Sequence, residues 1–180
     1  MPRRPGVLIN ASREESLARE PLLAFSFYLA GRVGVLDDTS AEIVRLLDRG
    51  FDGDRGFVRG EEVGRASTLM WFWTLGAYEV VRTMCQAATC FSKRAHDELV
   101  GLKRQLAVVR MPSAKMEKVR SNTPVTSNRS PDGWDMQRRD LIIGDPDTRP
   151  DVYARDLLAA FDRVVWSITS ADVLAPHSAG

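Results

Sequence analysis

Histidine and cysteine are scarce in this chain of 180 residues, with two of each, and chemistry that depends on clusters of them has little to draw on. No HExxH, CxxC or GxSxG occurs, so zincin, dithiol and nucleophile-elbow chemistry all lack their signature. The arginine-to-histidine spacing of helical RNases of the HEPN type is missing too, as are a Walker sequence and GxGxxG. An excess of one charge is also lacking: 25 basic residues meet 24 acidic ones for a net charge of +1, which excludes a wholesale polyanion binder. No long apolar run is free of charge. The stretch 66–91 approaches the roughly 20 residues that a bilayer needs, yet Glu79 and Arg82 fall in its middle, where each costs about 3 kcal/mol on insertion scales. Cys85 and Cys90 stand five apart, which on a helix turns them to different faces and rules out a bridge. Unbridged thiols, and an N-terminal apolar run of only Val7 to Ile9, predict a cytoplasmic protein rather than a secreted one.

What is present in abundance lies at the midpoint. Ala66 to Phe91 reads ASTLMWFWTLGAYEVVRTMCQAATCF and holds two of the four tryptophans and both cysteines. Leu69, Trp73, Gly76, Val80, Met84, Ala87 and Phe91 recur at steps of three or four, the spacing of one helical face. Glu79, Arg82, Gln86, Thr89 and Lys93 form the polar stripe. With so little wet surface, this helix is expected at the centre of a bundle, covered on most sides. A hydrophobic content of 44% in 180 residues is enough to bury about 70% of the unfolded surface around one core, so a single domain is expected over 1–180.

Along the chain, Ser12 and Glu15 form a capping box that predicts a helix from Arg13 to Gly31, kinked or restarted at Pro21. A break is expected at Gly31 to Gly34, then a second capping box, Thr39 with Glu42, and a short helix ending at Gly50. Phe51 to Val63 reads as a glycine-rich connection. Beyond Phe91 the apolar row continues in phase through Ala95, Leu99, Leu102, Leu106 and Val109, which would allow one helix of about 45 residues, but Ser92 can cap a new helix, so two helices are expected with a tight turn near Ser92 to Arg94. Pro112 ends the regular pattern, and SAKMEKVR after it can add one or two turns. A flexible surface loop is expected at 121–133, a strand at 140–143 paired with 124–126 or 7–9, a last helix over 152–174, and a frayed tail at 175–180. The fold expected is mainly α: about five helices around the one near 66–91, with at most a small two-stranded β element.

Candidate sites follow from charge and position. The connection FDGDRGFVRGEEV resembles half of an EF-hand loop, but in the register set by Gly56 and Glu62 the oxygen-ligand positions fall on Phe51, Gly53 and Arg55, so no metal site is assigned. Asp52 and Asp54 would repel a phosphate from the same glycines. His96, beside Asp97 and Glu98, reads as an exposed histidine, because adjacent helical residues diverge. Glu79 and Arg82, with Trp71 and Tyr78 nearby on the helix, are the ligand-pocket candidates, since opposite charges in an apolar helix need a structural or functional reason. The segment 93–120 holds eight basic residues against three acidic, and 140–180 three basic against seven acidic. Lys93, Arg94, Lys103, Arg104 and Arg110 are therefore nucleic-acid candidates, though no aromatics interleave with them. The reading that absorbs most of these observations is a small helical protein that acts by binding itself or another protein, with Trp71, Phe72 and Trp73 as core or interface anchors. Association with nucleic acid through 93–120 is the alternative, and a small enzyme with a pocket at Glu79 and Arg82 the second. No cofactor, metal ligand or catalytic residue is assigned.

Overall fold

The computed structural model describes residues 12–52, 57–115, 133–145 and 150–177. The expected N-terminal arm, the loop at 121–132 and both proposed strand partners, 7–9 and 124–126, lie outside the described residues. The chain is mainly α: helices α1 (Arg13–Arg19), α2 (Leu22–Phe25), α3 (Phe27–Gly50), α4 (Gly60–Gln86), α5 (Lys93–Lys115) and α6 (Ala154–Trp166) pack together beside a small antiparallel sheet. Among the described residues, no helix is long and apolar enough to cross a membrane.

The capping box at the start forms as expected, with the Glu15 N–H donating to Ser12 Oγ at 3.2 Å and the Ser12 N–H to Glu15 Oε2 at 2.8 Å. Pro21 ends that helix, and α2 lasts one turn before Ser26 drops into extended backbone and caps α3 through the Leu29 N–H. From there α3 runs unbroken for 24 residues, which corrects the expected break at Gly31 to Gly34. Both glycines face open space, while Leu29, Val33 and Leu36 on the other side are buried. Burial of that stripe outweighs the roughly 1 kcal/mol that each glycine costs a helix. Thr39, expected as a cap, sits in mid-helix and donates to the Val35 carbonyl.

The central helix begins earlier than expected, at Gly60, and packs between α3 and α5. Trp73, 1% exposed, is its largest fully buried side chain. Its Nε1–H donates to the Leu36 carbonyl at 3.1 Å, and its ring meets Phe161 of α6 edge-on. The expected break between two helices is present but lies earlier, at 87–92 rather than at Ser92 to Arg94, and the central helix ends at Gln86 rather than reaching Phe91. A 3-10 turn, Ala88–Cys90, leads through extended Phe91 to Ser92, whose Oγ accepts the Ala95 N–H. Ala95, Leu99, Leu102, Leu106 and Val109 are all buried on α5. Pro112 lies inside that helix, which runs on to Lys115, within the stretch allowed for further turns.

The sheet has three strands, not two: β1 (Gly133–Asp135), β2 (Asp140–Ile143) and β3 (Val152–Tyr153), in that order and antiparallel throughout. Gly133, expected in a loop, opens β1. Pairing of Ile142 and Ile143 with Tyr153 and Val152 takes the first two residues of the expected last helix into the sheet. Beyond Trp166 the chain leaves α6, makes a 3-10 turn at Ser170–Asp172 and stays packed: Phe91 bridges Val173, and the His177 N–H donates to the Phe25 carbonyl at 2.7 Å. Residues 175–177 are therefore docked rather than frayed.

Candidate functional site

Helix α4 is covered on three sides only. Trp73, Ala77 and Met84 face the core, whereas Thr68, Trp71 and Leu75 follow one another at steps of three and four on the side turned away from it, a row that continues through Tyr78 and Arg82, where Arg110 of α5 leans over the Tyr78 ring. Phe72, beside that row, is 57% exposed and Trp71 42%. Their rings lie 4.7 Å apart. The expectation that the polar stripe alone would be wet is corrected here: half of the uncovered face is aromatic. Of the three expected anchors, Trp73 belongs to the core and Trp71 and Phe72 to the surface.

At the C-terminal end of this face the charged pair forms as its spacing implies, with Arg82 Nε donating to Glu79 Oε2 at 2.7 Å. Both side chains are nearly half exposed, so the pair is not enclosed in the core and its burial needs no further compensation. Arg110 of α5 stands 3.8 Å from the other Glu79 oxygen and lays its guanidinium 4.8 Å above the Tyr78 ring. The four ligand-pocket candidates thus share one face of α4. They do not share one cavity. A cavity of about 480 Å³ adjoins Glu79, but its other walls are Leu29, Arg32, Val80 and His177, with neither Trp71, Tyr78 nor Arg82 among them. Arg32 there stacks on Tyr28 and donates to its hydroxyl.

Three cations of the basic segment are paired internally. Lys93 pairs with Asp97, Arg94 with Glu98 and Asp172, and Arg110 with Glu79. Lys103 and Arg104 are the members of the five for which no ion pair is seen among the described residues. Lys118 and Arg120 lie outside them. His96 is half-buried rather than exposed, its Nε2 3.4 Å from the Cys85 carbonyl on the seam between α4 and α5. Since Asp97 and Glu98 turn to Lys93 and Arg94, His96 is not part of an acid cluster. Cys85 and Cys90 are unbridged and buried, and burial pushes the Cys85 thiol above its ordinary range. Among the described residues, no three His, Cys, Asp or Glu side chains converge to hold a metal ion.

A polar cluster that sequence spacing did not reveal joins the start of α5 to the end of the chain. The buried Asp172 carboxylate accepts from Ser92 Oγ at 2.6 Å, Thr169 Oγ1 at 2.7 Å, the Thr169 N–H at 3.0 Å and the Arg94 guanidinium. Those donors hold it well below the usual carboxylate range. Eighty residues separate Ser92 from Asp172, so no local pattern could join them. No protein family, curated protein or solved structure matches the chain.

Proposed function

We propose that the protein acts by binding, and that it first binds a second copy of itself through the uncovered face of α4. The observation that carries this reading is the exposed Trp71 and Phe72 pair in the middle of the most heavily packed helix, bordered by charge at both ends. Adjacent exposed aromatics are the usual anchors of an interface. The charges suit a two-fold partner. If two α4 helices run antiparallel about an axis near Trp71 and Phe72, Trp71 of one meets Phe72 of the other, and Thr68 meets Leu75. On the same axis Glu61 comes opposite Arg82, and Arg65 falls within one position of Glu79. Such self-complementarity is what an isologous contact requires.

Light scattering during size-exclusion chromatography tests the proposal. The wild type is expected to run at twice the chain mass at high concentration, and Phe72→Asp as a monomer. Arg65→Glu is expected to weaken the dimer by setting two carboxylates against each other, and adding Glu79→Arg in the same chain to restore it. A wild type that stays monomeric at millimolar concentration sinks the reading. The nucleic-acid alternative has less support, because three of its five named cations are already paired. Retention on a DNA or RNA column at low salt would revive it.

A further inference from the structure

On the other side of the molecule from the uncovered α4 face, α3 and α6 diverge and leave an open trough. Two adjoining cavities, of about 340 and 440 Å³, share Asp37 and Trp166 as a common wall. The floor is apolar, built from Leu22, Val33 and Val44 on one side and Phe161, Val165 and Ile168 on the other. Along its lip stand Phe27, 83% exposed, Val35, 58% exposed, and Trp166, 38% exposed. From Phe27 to Asp48 the α3 wall is about 30 Å long at 1.5 Å per residue, the length of a five- to six-turn helix. Among the described residues no free strand edge borders the trough, and helices α3 and α6 form its two walls with their backbone groups spent internally. An occupant must therefore be recognised by side chains, as in helix-in-groove complexes.

Its charge narrows the choice. Glu20, Asp37, Asp48 and Asp162 line the two cavities against Arg45 and Arg155. Arg155 is held by Asp48 at 2.8 Å, and Arg45 turns back to Glu42 on its own helix. Glu20 and Asp162 form no ion pair among the described residues, so the edges of the trough are acidic. We propose that it is the docking site for an amphipathic helix of a partner protein, with apolar residues at steps of three and four entering the floor and lysines or arginines along its edges. This surface is separate from the α4 face, so either proposal can fail without the other.

The test uses the full chain and two labelled helical peptides of about 18 residues that carry the same leucine stripe, one edged with lysine and the other with glutamate. Fluorescence anisotropy is expected to show the lysine peptide binding at least about tenfold more tightly, with the difference shrinking as salt rises from about 50 to about 300 mM. Phe27→Asp combined with Val35→Asp is expected to lower that affinity by about tenfold or more. Asp162→Lys should weaken the lysine peptide and strengthen the glutamate one. All these side chains are on the surface, so circular dichroism should show an unchanged fold. Equal binding of the two peptides, no binding of either, or indifference to the Phe27 and Val35 changes would each overturn the assignment.

Discussion

Asp172 shows how one side chain can secure a distant pair of segments. It is 6% exposed and takes hydrogen bonds from three residues, so replacing it with asparagine removes a buried charge from Arg94 and spoils the acceptor geometry for Ser92 and Thr169. Losing charge-assisted bonds of this kind is expected to cost about 3 kcal/mol. The pH dependence carries the signature. Because the folded carboxyl titrates below its unfolded value, its stabilisation is fully present above about pH 4, the unfolded value, and is lost as pH falls toward the folded one. Urea titrations of wild type and Asp172→Asn should therefore differ most near neutrality and converge in acid. A gap that stays constant down to low pH would mean that the carboxylate charge is not what stabilises the joint.

At the scale of elements, helix ends and helix crossings decide the architecture. The residue before α6, Tyr153, has no capping side chain. Its place is taken from across the sheet by Asp140 of β2, which accepts the Arg155 N–H at 3.1 Å and the Leu141 N–H at 2.8 Å. Burial pushes the Asp140 carboxyl above its ordinary range, with those N–H donors opposing it. Asp140→Ala should lose about 1–2 kcal/mol, the scale of an N-cap. Asp140→Asn, which keeps an acceptor and discards the buried charge, should cost distinctly less in the same denaturation experiment. Where α3 meets the start of α4, a Cβ on Gly50 would lie 2.7 Å from Val63 Cγ2. Gly50→Ala should therefore cost about 1–3 kcal/mol through overpacking, and Val63→Ala in the same chain should recover part of it. If the double variant is no more stable than expected from the two single changes added together, the contact is not the cause.

For the whole molecule, the two sides of the helical layer have different surfaces: aromatic with balanced charge on the α4 side, apolar with acidic edges along α3 and α6. A two-fold dimer through the first leaves the second open on both copies, which suits a bivalent binding protein. Association should appear in stability as well as in mass. The melting temperature of the wild type is expected to rise by about 2 °C for each tenfold increase in concentration once the dimer predominates, and that of Phe72→Asp to stay level. A concentration-independent melting temperature for both would point to a monomer.

Periodicity alone carried a good deal of this. The row from Trp73 through Met84, Phe91 and Leu99 to Val109 is buried as its spacing implies, because steps of three and four are a property of the helix and need no partner. The first capping box, the unbridged cysteines, the Ser92 cap and the strand at 140–143 were legible for the same reason: each is written in residues close together. The uninterrupted α3, the early start of α4, the third strand, the borrowed cap of α6 and the Asp172 joint were not, since each depends on residues that meet only after folding. Which side of α4 is left uncovered belongs to that second group. Spacing can show that Trp71, Phe72 and Trp73 point in different directions, but only the positions of α3, α5 and α6 decide that Trp73 is sealed inside while its two neighbours remain in water.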